Sequence, residues 1–512
     1  MAVDPGTFGT VTFLIPVVTL FIAFLILKWD ALKVAALGWL VEAIVVLAAY
    51  PGKNVLTATV WADFSLWIVF AVIWTGFIFR EMYLNTGLLQ RLVDILDSLF
   101  KSKWGKALAL GGTVGGLLGA FNGYATYPIA ITGIKELGYS AWRSATGYLV
   151  FFSWCIPFVS LWIGAQVANI GSGVPVIEFA PYMGAFALPL IALSGYAFSR
   201  IIEVDLKEEH NSMLLALTIL GNMTGVILFT LVLPQYYLMT LVACGFFVFL
   251  YLWLFGKFRR IERGTLSDKT FSGMIRPFSP IIVGIFVILL WSWEPVKNFI
   301  ANFEFTIQLW SYDPVQINLL SNAGFFILII ALSSYLFRMP YEKADQKEKT
   351  ERSNPVGDII TGSRLSVRTL LTLVFGGGTV GMMLVSGQIG AVRDLLLSYS
   401  SMVYSVVLVP FSFISGIVFT EGTPAALLLS SMQVEAAAAL GVPLAFLVAI
   451  VTFAVMGPAD PLKPSVLSFT ATLAGAPLED EPKMFRTALI WQLAAVIIIV
   501  AEVVLAVLFV VG

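Results

Sequence analysis

About a dozen times along its 512 residues the chain runs for roughly twenty positions with scarcely a charge, beginning with "VTFLIPVVTLFIAFLIL" at 11–27. A run of that length, wound as a helix rising 1.5 Å per residue, matches the hydrocarbon thickness of a bilayer. Inside lipid each backbone N–H and C=O must find a partner within the protein, so such runs are helices. They fall near 11–27, 31–49, 62–79, 142–165, 180–199, 213–233, 235–255, 278–293, 315–338, 369–388, 443–470 and 488–511. The expectation is an all-α polytopic membrane protein with about 12 transmembrane helices. The first run has no positively charged leader and no clear small-residue cleavage site after it, so it reads as a first transmembrane helix and not as a signal peptide.

Two further apolar stretches, 106–138 and 403–440, fit no single crossing. "FNGYAT" splits the first into arms of about 15 residues, too short to span singly. Each reads as a re-entrant hairpin, two short helices joined at a polar tip inside the membrane. Charge placement agrees. With the N-terminus outside, 26 of the 30 lysines and arginines fall in inside loops, only Lys53, Lys297 and Arg393 fall outside, and Lys463 stays in the membrane. Both termini are then expected outside a cell (inner) membrane.

The same layout exposes a repeat. A span, a helix opened by glycine, a hairpin and a proline-broken span occur at 62–165 and again at 370–470. "NTGLLQRLVDIL" pairs with "QIGAVRDLLLSY", and "GAFNGYATYP" with "GIVFTEGTPAA". The first hairpin enters from inside and the second from outside. Inverted repeats with discontinuous helices meeting near the midplane mark secondary transporters. The chain divides into N-terminal scaffold helices (1–61), repeat 1 (62–200, hairpin 106–138, broken helix 142–165), central scaffold helices with charged loops (201–368) and repeat 2 (369–512, hairpin 403–440, broken helix 443–470).

Other chemistries find little footing. Cys155 and Cys244 sit in apolar stretches and give no metal spacing, His210 stands alone in a charged loop, and no soluble domain is large enough to carry a membrane enzyme. No cofactor, metal or nucleic acid is expected. Paired broken helices favour alternating access over an open pore.

The segment "VMGPADPLKPSV" (455–466) places three prolines, an aspartate and a lysine within an apolar run. Pro458, Pro461 and Pro464 each remove a backbone donor, so the helix should unwind there. A helix that restarts after the break turns free amides and its positive end toward the gap, which suits a carboxylate, and Lys463 adds a full charge. Asp460 and Lys463 at the bilayer centre would each cost about 2.5–3.5 kcal/mol, which suggests a use in transport; the competing reading is that they simply pair across one helical turn. Glu421, at the second tip, is a candidate proton carrier with Asp460, or a solvated loop acid. On the first side Asn122, Gly123, Thr126 and Ser153 are candidate substrate contacts, with Pro157 breaking the span. Tyr124 joins them, although Tyr124, Tyr127 and Trp154 weigh more toward packing. On the second side Thr420, Gly422, Thr423 and Ser465 match. Glu42 and Glu502 are buried acids paired with Ser or Asn, or lie near a helix end, and are not assigned to coupling. So few charges fit a small monovalent anion better than a di- or tricarboxylate.

"GGLLGAFNGYATYPIAITGIKELGYSAWRSATGYLVFF" and "MGPADPLKPSVLSFTATLAG…MFRTALIW" resemble the first hairpin region and the late proline-containing segment of the L-lactate/glycolate permease family. The likeness covers about half of the chain, as a divergent member. It implies the ion transporter superfamily, proton-coupled import of a small 2-hydroxymonocarboxylate, a transport domain sliding against a scaffold, and a homodimer. The chain departs from that family in having Asn122 rather than an acid before Gly123, in the residues of its late segment, and in carrying Glu421. Na⁺ coupling therefore stays open, as does a cation/proton antiporter or oxyanion efflux transporter of the same superfamily.

Overall fold

The computed structural model describes residues 5–119, 123–159, 165–258, 276–312, 314–320, 322–338, 354–419 and 422–510. Ten helices among them are long and apolar enough to cross a membrane, which makes the chain an all-α, multi-pass membrane protein. The chain opens with α1 (Pro5–Leu25), α2 (Ala31–Ala49), α3 (Val55–Ser65) and α4 (Trp67–Asn85). Gly87 then takes a left-handed φ of 78°, open to glycine without penalty, and starts α5 (Leu88–Leu99) at a new angle. Next come α6 (Lys103–Leu108), a π-turn (Ala109–Val114) and α7 (Gly115–Gly119), running on without a break, and α8 (Gly123–Glu136), which returns against them.

The broken span follows as α9 (Ala141–Phe152), a 3₁₀ turn (Ser153–Phe158) and α10 (Ala165–Ser172). After it lie α11 (Val176–Ile201), α12 (Glu209–Val226) with a π-turn (Ile227–Val232), and α13 (Thr240–Phe258). Where the sequence predicts spans at 278–293 and 315–338, the structure has α14 (Ser279–Ser292) and α16 (Ala323–Leu336), each 14 residues. At 1.5 Å per residue these fall short of a bilayer core of about 30 Å. Between them α15 (Glu294–Ala301) leads into an antiparallel pair, β1 (Glu304–Ile307) and β2 (Val315–Asn318), with Glu304 opposite Asn318. "VQIN" buries Val315 and Ile317 and exposes Gln316, an alternation of two that the apolar run around it conceals. Tyr312, in the turn before β2, stacks on Trp61 of α3 at 5.2 Å.

The remaining helices are α17 (Pro355–Ser386), α18 (Gln388–Leu397), α19 (Ser401–Val418), α20 (Gly422–Leu440), α21 (Leu444–Met456), α22 (Pro464–Ala474) and α23 (Glu481–Val510). Gly387, with φ 79°, opens α18 as Gly87 opens α5. Gly387 lies three residues before Gly390, the glycine that the sequence sets opposite Gly87. The α17 helix packs on α2, α3 and α4. Within 201–368, α12 and α13 pack on each other, α13 packs on the segment 109–119 and α12 on α6, whereas α16 packs on α4 and α14. A methyl group added at Gly116 would lie 2.9 Å from the Gly245 backbone, so α7 and α13 touch through their main chains.

An ion network ties the first connection to the last helix. Arg368 of α17 donates to both carboxylate oxygens of Glu481 and, at 3.1 Å, to Asp30. The Ala31 amide donates to Glu481 at 2.7 Å, and Lys33 pairs with Asp30 at 2.8 Å. Glu481 is fully buried and Asp30 nearly so. A bidentate guanidinium fork makes such burial tolerable. Burial pushes the Asp30 carboxyl up, but hydrogen bonds from Lys33 and Arg368 outweigh it and leave its pKa below the ordinary value of 3.8. Arg368→Ala is expected to destabilise the detergent-solubilised protein by on the order of 3 kcal/mol in thermal unfolding, with Arg368→Lys in between. Because the folded Asp30 pKa is depressed, its contribution is full above the unfolded value and disappears as pH falls through the folded one. The stability gap between wild type and Asp30→Asn should therefore close on acidification below about pH 4.

Candidate functional site

The two broken helices meet at their breaks. α21 ends at Gly457, a 3₁₀ turn covers Asp460–Leu462, Lys463 is extended at φ −66° and ψ 130°, and Pro464 opens α22. Proline suits that first helical position because its missing N–H would have had no helical acceptor there. Pro461 lies inside the turn, and Pro157 lies in the corresponding turn after α9. The 153–158 and 460–462 turns pack together, and a methyl group at Gly457 would sit 3.5 Å from the Ser153 carbonyl oxygen. The halves are also exchanged: α22 packs on α8 and α9, while α10 packs on α20 and α21.

At this crossing Lys463 Nζ donates to Asp460 Oδ1 at 2.9 Å, and Tyr127 donates its hydroxyl to Asp460 Oδ2 at 2.7 Å. Asp460 is 4% exposed, Lys463 1% and Tyr127 2%, so the pair is sealed from water. A methyl group at Gly422 would lie 2.7 Å from Lys463 Nζ, which places the ammonium against the first turn of α20. Tyr127 stands in a set of rings with Tyr124, Phe152 and Phe469, at centroid distances of 5.9–6.1 Å. The centre is thus a buried pair of opposite charges whose carboxylate accepts a second side-chain hydrogen bond from a phenol.

The other predicted residues divide. Thr126 donates to the Gly115 carbonyl at 2.9 Å and so ties α8 to α7. Ser153 donates to Val150 at 2.9 Å and accepts from Gln492 of α23 at 3.4 Å. Gly123 and Gly422 begin α8 and α20, Tyr124 and Ser465 are buried, and Thr423 is half-buried. Asn122, Thr420 and Glu421 lie outside the described residues, and so does the tip of each helix pair. Pro458 sits in the turn between α21 and the 3₁₀ segment.

Tyr127, weighed as packing, is the side chain that reaches Asp460; its place in "NGYATYP", one helical turn beyond Gly123, was the available signal. A small cavity beside the first break is lined by Gly112, Trp154, Cys155, Asn222 and Cys244 among others. Trp154 Nε1 and Asn222 Nδ2 are buried donors without a hydrogen-bond partner among the described residues. Among the described residues no group of three or more His, Cys, Asp or Glu side chains is placed to hold a metal ion. No protein-family model matches the chain, and no curated protein is similar to it.

Two substitutions separate a pair from its members. Lys463→Met alone strands a buried carboxylate and should cost on the order of 3–5 kcal/mol in thermal unfolding, whereas Asp460→Leu with Lys463→Met should cost much less. Tyr127→Phe removes one charge-assisted hydrogen bond, about 1.5–3 kcal/mol on the same scale. If the double variant were as unstable as the single one, burial of unpaired charge would not be what holds this centre together.

Proposed function

We propose that the chain is a secondary active transporter that imports a small 2-hydroxymonocarboxylate of the L-lactate or glycolate type together with a proton. The observation that carries the reading is the sealed Asp460–Lys463–Tyr127 centre at the crossing of two interrupted helices. Unwound chain at membrane depth is tolerated where it lines a site, and an intramembrane charge pair marks an ion or substrate path. With Asp460 ionised, Lys463 is neutralised by it. A proton delivered to Asp460 removes that charge while Tyr127 keeps the carboxyl in place by accepting or donating, and Lys463 is released for the carboxylate of the incoming anion. Proton and anion then enter together because neither alone leaves the centre neutral. The amides of the first turn of α22 and the residues Gly123, Tyr124, Gly422, Thr423 and Ser465 would surround the anion.

The exchanged packing of α8, α9 and α10 with α20, α21 and α22 supports an inverted repeat, and the short α8 supports a hairpin that turns back within the bilayer. The motion of one domain against a scaffold, the homodimer, the inner membrane and the outside placement of both termini belong to the same proposal. Glu421 is its second proton carrier, at the tip of the second hairpin, taking up a proton when the site closes off from water and giving it up when it opens.

Uptake of labelled L-lactate into proteoliposomes under an inward proton gradient, with glycolate, pyruvate and succinate as competitors and with Na⁺ present or absent, tests this. Gradient-driven accumulation blocked by the monocarboxylates and not by succinate is expected. Asp460→Asn should abolish accumulation while keeping exchange of internal for external lactate, and Lys463→Met should abolish both. Absence of uptake, with Na⁺/H⁺ exchange reported by a trapped pH dye, would assign the centre to a cation antiporter instead.

A further inference from the structure

Glu42 lies midway along α2 and Gln388 opens α18; neither side chain reaches solvent. Gln388 Nε2 donates to Glu42 Oε1 at 2.7 Å. Two atoms of this pair are left over, Glu42 Oε2 and Gln388 Oε1, both buried and both without a hydrogen-bond partner. Each is an acceptor, so an ionised Glu42 could satisfy neither. It would also be a bare charge inside the membrane.

The cations on the elements packed around the pair are paired elsewhere or exposed. Described residues of α1 and α22 include none. On α17, Arg368 holds Asp30 and Glu481, Asp358 accepts from Asn85 and Tyr335, and Arg364 is exposed. On α18, Arg393 pairs with Asp394 and with Glu435 of α20. Lys33 of α2 pairs with Asp30, the Tyr50 hydroxyl is bonded to Thr12, and Asp63 of α3, which lies against Gly377, brings a further buried acceptor without a hydrogen-bond partner and no cation.

A single proton meets both leftover acceptors. Placed on Glu42 Oε2 it makes a neutral acid whose O–H donates to Gln388 Oε1, while Oε1 goes on accepting from Nε2. The result is a closed acid–amide ring with two hydrogen bonds. We propose that Glu42 and Gln388 form a proton-binding site within the membrane that, when loaded, fastens α2 to α18. Loss of the proton leaves a carboxylate with one donor and no cation, so the ring opens and α18 is freed from α2. α18 leads directly into α19, so the site governs a connector. It is separate from Asp460, and its test involves no transport.

Infrared spectroscopy of the purified protein in lipid reads the protonation directly. At neutral pH a carboxylic-acid carbonyl band is expected that Glu42→Gln removes without loss of fold, because an amide pair can occupy the same space. Gln388→Leu should shift that band, since the acid then loses both ring partners. Loss of a carboxylate band in Glu42→Gln, with the acid band unchanged, would show Glu42 ionised and overturn the proposal, and an unshifted band in Gln388→Leu would overturn the ring. Wild-type protein supplies an independent reading through dicyclohexylcarbodiimide, which attacks protonated carboxyls in apolar surroundings. The peptide carrying Glu42 should be labelled, and equally so in the presence of Na⁺. Protection by Na⁺ at fixed pH would make this a metal-cation site and refute the proton assignment.

Discussion

An unwound stretch of chain with no water around it has to satisfy its own polar groups, and the turn at 457–463 does so with one ion pair. Three prolines remove donors that would otherwise be stranded there, 3₁₀ contacts such as the Lys463 amide to Asp460 absorb part of the rest, and the side chains of the same two residues neutralise each other. The neighbours are placed around that pair. Tyr127 is brought to Asp460 from α8, Gly422 leaves room for the ammonium at the start of α20, and the first break packs alongside through Ser153 and Gly457.

The same economy governs the other charges in the interior. Arg368 serves two carboxylates at once, Glu481 also takes the Ala31 amide, and Gln388 offers its one well-placed donor to Glu42. Each of these joins segments more than a hundred residues apart. The apolar surfaces of the helices give closeness but little selectivity in register, since one leucine packs on another much as a third would. The few polar contacts fix which turn of one helix faces which turn of the next.

The multi-pass, all-helical character was legible because the bilayer imposes a length, and the second break was legible because proline has no N–H to give. What sequence reading could not supply were pairings at long separation. Glu42 was read as a buried acid paired with Ser or Asn, or as lying near a helix end, and nothing in its surroundings pointed to Gln388; Arg368 was counted as a loop charge because its partners stand at 30 and 481. The strand Val315–Asn318 was lost inside an apolar run since four alternating residues weigh little against twenty. Gly390 was set opposite Gly87 while it is Gly387 that takes the left-handed angle, since both are glycines near a helix start and only the backbone angle distinguishes them. Tyr127 was weighed as packing because an aromatic ring in a membrane helix usually is, and its hydroxyl became informative only once Asp460 was found opposite it.

The contact of α7 with α13 has a mechanical meaning. Where two helices touch through glycine main chains, as at Gly116 and Gly245, there are no side chains between them to slide, tilt or repack. Such a joint transmits displacement without slack. Any travel of the first helix pair would therefore drag α13, and α12 packed on it, along as cargo, while α16, resting on α4, and α14, packed on α16, would stay with the frame. The seam between what moves and what stands still would then cross the chain after α13, well inside a stretch whose sequence alone reads as one continuous scaffold.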